Sequence, residues 1–76
     1  MISTMEYSVI VHKADEGGFW VEVAALPGCY SQGETVEDAL ENVKEAIALY
    51  LEALRGEGRN IPKDEDVVFK VAVAVS

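Results

Sequence analysis

The feature that most constrains this chain is one amphipathic helix signal set among segments that alternate. Val36, Ala39, Leu40, Val43, Ala46, Ile47, Tyr50, Leu51 and Leu54 recur at spacings of three and four, which on a helix gathers them into an apolar arc of roughly 140°. A single stripe can bury against a single surface, so the rest of the chain must provide one apolar wall. The ends of the helix are also written. Thr35 stands as the cap with Asp38 three residues on in a capping-box arrangement, and Glu34, Glu37 and Asp38 put negative charge at the positive end of the helix dipole. Gly56 and Gly58 close it, with Arg55 in the last turn.

The wall comes from strands. EYSVIVHK, Glu6 to Lys13, alternates with Tyr7, Val9 and Val11 on one face and Ser8, Ile10 and His12 on the other. Gly17-Gly18 then supplies the permissive backbone of a hairpin, and FWVEVA, Phe19 to Ala24, alternates again. Leu26-Pro27-Gly28-Cys29 suits a type II turn, since Pro presets the second position and Gly accepts the positive φ of the third. A short third strand is expected over Cys29 to Gln32, broken by Gly33. After the charged loop RNIPKDED, the alternating VVFKVAVAVS predicts a last strand.

The expected architecture is therefore α+β: a β-β-β-α-β chain forming an antiparallel sheet with one helix packed on one face. Its core would join Tyr7, Val9, Val11, Phe19, Val21, Val23, Phe69, Val71 and Val73 to the helix stripe. Neither a repeat nor a linker interrupts the chain, so residues 1–76 are expected to form a single domain.

Composition limits what such a domain can do. Fourteen Asp and Glu against six Lys and Arg give a formal charge of −8, a field that repels phosphate backbones and favours a basic protein partner over nucleic acid. One cysteine cannot form an internal disulfide, and one histidine offers no ligand-spaced metal cluster. Without a secretory signal or a long apolar run, the expected location is the cytoplasm. At 76 residues a lone core gives only a few kcal/mol of net stability, so association with itself or with a partner is expected to help.

Two faces are left over once the core is assigned. Opposite the helix, the sheet would present Ser8, Ile10, His12, Trp20, Glu22 and Ala24, with Val68, Lys70, Ala72 and Ala74 of the last strand. That mixture is more apolar than a solvated face needs, and Trp20 is the residue type that anchors contacts. On the outer side of the helix, Glu37, Asp38, Glu41, Glu45 and Glu52 fall within roughly 100° of arc. Like charges four apart cost a few tenths of a kcal/mol each, a cost that a positively charged partner would offset. Ile10, Trp20, Glu37, Glu41, Glu45 and Leu49 are the candidate partner-binding residues.

Catalysis is poorly provided for. Cys29 and His12 are the only nucleophile and base of that kind, and no oxyanion loop or helix N-terminus surrounds the cysteine. The strands carry only Glu6 and Glu22, too few carboxylates for a two-metal nuclease. No Gly-rich phosphate loop precedes the helix, because Gly33-Glu34-Thr35 sets a carboxylate there. No catalytic residue, metal or cofactor is expected, although a degraded nuclease-like enzyme and a self-associating solitary domain remain as other readings.

The segment GGFWVEVAALPGCYSQGETVEDALENVKEAIALYLEALRGEG, followed by Ile61-Pro62, closely resembles the HicB-like antitoxin family. The matching positions are Leu26, Pro27, Gly28, Cys29, Gly33, Glu34, Thr35, Glu37, Ala39, Leu40, Asn42, Glu45 and Ala46. Pro27, Gly28, Cys29, Gly33, Thr35 and Asp38 would serve the turn and the cap. The resemblance implies a double-stranded-RNA-binding-domain-like fold used for protein binding, in which the antitoxin occludes the catalytic surface of a small basic HicA toxin that cleaves mRNA, and it implies a homo-oligomer, a dimer or tetramer. Many members carry a C-terminal DNA-binding module as well, and with the chain ending at Ser76 none is expected here.

Overall fold

The computed structural model describes residues 4–76. Three strands, β1 (Val9–Lys13), β2 (Phe19–Val23) and β3 (Tyr30–Gly33), precede a single 21-residue helix, α1 (Val36–Gly56). The strands form one antiparallel sheet in the order β1-β2-β3. The class is the expected α+β, with the helix across one face.

The register explains which side chains the helix covers. Val9 pairs with Val23 and Val11 with Val21, while Val21 faces Ser31 and Phe19 faces Gly33. These residues share the inner face, because alternate positions of paired strands point the same way. Val21 and Val23 are buried there against Leu26, Cys29, Ala39 and Val43. Tyr7, Val9, Phe19, Ala46, Ile47, Tyr50 and Leu51 pack around them, and Leu54 is buried near the end of the helix.

Two turns aim these elements. Cys29 N–H donates to the Leu26 carbonyl at 3.0 Å with Gly28 at φ +81°, the type II turn written in the sequence. This turn also buries Leu26 completely, a core residue the alternation pattern left out because it lies between strands. Gly33 is needed for a different reason. A β-carbon there would stand 2.4 Å from the Ala39 nitrogen, so only glycine lets the first turn of α1 come down onto β3.

The helix ends follow their chemistry. Thr35 Oγ1 accepts the Asp38 N–H at 3.1 Å. At the other end Gly58, at φ +70°, donates to the Arg55 carbonyl at 3.1 Å, and Arg59 N–H donates to the Leu54 carbonyl at 2.9 Å. This is the Schellman closure. Along its length α1 is pinned over the β3 side by Asn42 Nδ2, which donates to the Gln32 carbonyl at 2.8 Å, and by the Tyr50 hydroxyl, which donates to the Pro27 carbonyl at 2.9 Å.

The expected last strand is not part of the sheet. Among the described residues the sheet has three strands, and positions 67–76 belong to none and lie exposed. Phe69, Val71 and Val73, expected in the core, are 80%, 81% and 74% exposed. Val68, Lys70, Ala72 and Ala74 accordingly do not extend the outer sheet face. Alternation fixes how a segment's own side chains are sorted, but not which edge receives it. The strand boundaries shift slightly too, β1 starting at Val9 and not Glu6, and β3 running over Tyr30–Gly33 instead of Cys29 to Gln32.

The linker into this tail is anchored. The Tyr7 hydroxyl donates to the Pro62 carbonyl at 2.6 Å, and Ser8 donates to Asp64 through both its N–H and its hydroxyl, each at 2.6 Å. Desolvation and the Asp64 carboxylate push the Tyr7 phenol above its ordinary value, keeping it a donor.

Candidate functional site

The candidate partner-binding residues fall on two surfaces. Ile10 and Trp20 lie on the outer face of the sheet, one on β1 and one on β2, with His12 paired to Trp20 and Glu22 paired to Ile10. Glu37, Glu41, Glu45 and Leu49 lie on α1. Because the helix covers the inner sheet face, its outer side and the outer sheet face point in opposite directions. The fold does not bring the six residues together.

The outer sheet face has an aromatic centre. The His12 and Trp20 rings stack with centroids 4.1 Å apart and planes 18° from parallel. Glu22 Oε2 stands 3.3 Å from His12 Nε2, so a carboxylate borders the stack. Tyr30, which pairs with Glu22 and is 65% exposed, adds a second large ring. Trp20, Tyr30, Ser31, Gln32 and Ala14 line an open groove of about 570 Å³. Tyr30 was absent from the sequence-level candidates; the signal lay in the turn, since burying Cys29 beside the core sends the next residue outward.

The helix surface is charged and solvated. Glu37, Asp38, Glu41, Glu45 and Glu52 are all exposed, and Leu49 sits beside them at 60% exposure. Lys44 Nζ reaches Glu41 Oε1 at 3.4 Å, an exposed pair of the kind worth little to stability. The N-terminal end of this face meets the hairpin. Ala14, Gly17, Gly18, Phe19, Gln32, Gly33, Glu34, Asp38, Glu41 and Asn42 line a cleft of about 510 Å³ that carries three carboxylates and no cationic side chain.

Cys29 and His12 are separated by the sheet. Cys29 is buried in the core and unpaired, and burial pushes its thiol above the ordinary value, which lowers the thiolate fraction. His12 is on the other side, against Trp20. Pro27, Gly28, Gly33, Thr35 and Asp38 all serve the turn, the close approach and the cap described above. Among the described residues no group of three or more His, Cys, Asp or Glu is placed to hold a metal ion, and no helix there is long and apolar enough to cross a membrane.

The chain is similar to known proteins in both sequence and fold. A family model described as the HicB_like antitoxin of bacterial toxin-antitoxin systems matches residues 7–73. A UPF0150 protein of Thermoplasma acidophilum is 48% identical over 60 residues, spanning 79% of this chain and 87% of the relative. The N-terminal domain of the Burkholderia pseudomallei antitoxin HicB has the same fold, with a TM-score of 0.70 and 35% identity over 82% of this chain and 73% of that one. A chain of the HicA3 and HicB3 toxin-antitoxin complex matches at a TM-score of 0.67 with 34% identity, covering 79% of this chain and 70% of its own length. On the family match and this relative's identity, the chain belongs to the HicB-like antitoxin family.

Proposed function

We propose that this protein is an antitoxin that binds a basic HicA-type toxin and occludes its catalytic surface, working beside that mRNA-cleaving ribonuclease in the cytoplasm. The observation that carries the reading is the likeness to a chain of a HicA–HicB toxin-antitoxin complex. The charge distribution supports it. A ribonuclease holds RNA through cationic side chains, and the Glu37, Glu41 and Glu45 face offers the same sign of charge as the phosphates it would displace. Leu49 adds an apolar contact within that face, while Asp38 and Glu52 extend the negative field.

Ile10 and Trp20, with Tyr30, form a second contact surface on the far side of the sheet. Their role in the reading is to lengthen the life of a complex, because a buried aromatic anchor acts on dissociation more than on encounter. The chemistry belongs to the toxin, and this chain contributes shape and negative potential.

The experiment is a titration of the purified chain into an RNA-cleavage assay of a HicA-type toxin from the same genome. Cleavage should fall to zero near one equivalent of binding sites. Full cleavage at stoichiometric excess would refute the proposal.

A further inference from the structure

The exposed tail and an open apolar groove fit one another. The tail's odd positions, Val67, Phe69, Val71, Val73 and Val75, form a continuous apolar side, and all five are at least 74% exposed. Such a strongly patterned apolar segment left in water is unfavourable in an isolated chain. The domain is also longer than its size requires. Its radius of gyration is 14.6 Å, against about 11 Å for a compact chain of this length. Its long axis of 52 Å well exceeds the roughly 32 Å spanned by a 21-residue helix. The tail runs clear of the body.

The body has a vacancy of matching shape. In the order β1-β2-β3, β1 is an edge whose outer backbone groups pair with no strand among the described residues, and α1 is pinned toward the opposite, β3 side by Asn42 and Tyr50. Between β1 and α1, Tyr7, Val9, Leu40, Val43 and Ile47 line much of a groove of about 410 Å³, with Lys44 the one charged residue in its lining. Val11 of β1 is 37% exposed on the same inner face. A fourth strand along β1 would pair those backbone groups and send its alternate side chains into this groove.

We propose that residues 67–75 add as a fourth strand to the β1 edge of a second copy of this chain, each tail filling the other's groove in a two-fold exchange. The linker argues for the second copy. Tyr7 and Ser8 fix residues 62–64 at the head of β1 with three hydrogen bonds, and from there the tail departs instead of following its own edge. Every copy carries both the strand and the groove, so a reciprocal exchange satisfies both and closes as a pair, with no tail or β1 groove left over for a third chain. The size is adequate. Five side chains per tail, with the surfaces that receive them and counted over both tails, withdraw on the order of 1,500 Å² from water, the area of an ordinary stable interface. This inference does not depend on the toxin reading.

The test uses the full chain. Light scattering after size exclusion gives its mass, and isotope-filtered NOEs are recorded on a sample refolded from equal parts of ¹³C-labelled and unlabelled chains. The expected result is twice the chain mass, with NOEs between chains linking the Val71 and Val73 methyls to Val9 and Ile47. Val71→Asp with Val73→Asp is the companion variant. These valines are exposed in an isolated chain, so a monomer would keep its melting temperature. In the exchanged dimer the dissociation constant should rise about a hundredfold or more, because two carboxylates would have to enter an apolar groove. Helical circular dichroism confirms that the variant has folded. A monomer whose tail contacts Val9 within its own chain would overturn the proposal. So would a dimer without tail-to-groove contacts, or a tail that seats only when a basic protein is added.

Discussion

Oδ2 of Asp64 accepts two hydrogen bonds from Ser8, one from the backbone N–H and one from the hydroxyl, each 2.6 Å long. The two residues are 56 positions apart, so this carboxylate holds the chain beyond the helix against the head of β1. The hydroxyl bond is the larger cause that holds the Asp64 carboxyl below its ordinary value of 3.8; partial burial opposes it, and the Ser8 N–H adds to it.

A depressed carboxylate makes stability depend on pH in a defined direction. The unfolded chain binds the proton more readily than the folded one, so the tether contributes fully above the ordinary carboxylate value and is lost as pH falls through the lowered one. Asp64→Asn should lower the urea midpoint at pH 7 and flatten its decline between pH 4 and the acid limit. An unchanged acid slope would mean that other carboxylates carry it.

The approach of α1 to β3 should be intolerant of a single methyl. With a β-carbon 2.4 Å from the Ala39 nitrogen, Gly33→Ala must push the first helical turn off the sheet. The expected loss is about 1–3 kcal/mol in denaturant unfolding, as for other overpacked sites. Gly17→Ala, in open space at φ +104°, is the comparison: its cost comes from backbone strain alone and should leave the helix in place.

These particulars mark what could be read from the chain. The Thr35 cap, the Leu26–Cys29 turn and the helix stripe were legible because each depends on residues close in sequence. The requirement for Gly33 was read as a strand break, whereas its cause is a close approach across elements. Leu26 and Tyr30 were missed because a turn, not a period, decides where they point. The tail was the largest departure: its alternation predicts a last strand, whereas residues 67–76 lie outside the sheet, because alternation sorts a segment's side chains without supplying an edge to pair with. The acidic stripe and Trp20 were each located, yet that they face opposite ways follows only from the two layers.

Cys29 should behave as a core residue and not as a reagent. It is buried, its thiol is pushed up by burial, and it packs in the same cluster as Leu26. Labelling by a thiol-specific disulfide reagent at pH 8 should therefore wait for opening of the fold. Leu26→Ala, which removes a fully buried side chain at about 2–5 kcal/mol, should speed labelling by about tenfold or more. Fast labelling of the unaltered chain would place Cys29 at the surface.

The two candidate faces make opposite kinetic predictions, and that separates them. Glu41→Lys with Glu45→Lys turns an attractive field repulsive on α1, so association with the toxin at low salt should slow by about tenfold or more. The deficit should shrink as salt rises, since both residues are exposed and their fields are screened within about 10 Å at 0.1 M. Trp20→Ala removes no charge. It unstacks His12 on the opposite face, and should leave association unchanged while shortening the lifetime of the complex. Stopped-flow association and surface-based dissociation measure the two independently. If charge reversal on α1 left the association rate and its salt dependence unaltered, the acidic stripe would be a solvated face, and any toxin contact would have to lie on the sheet.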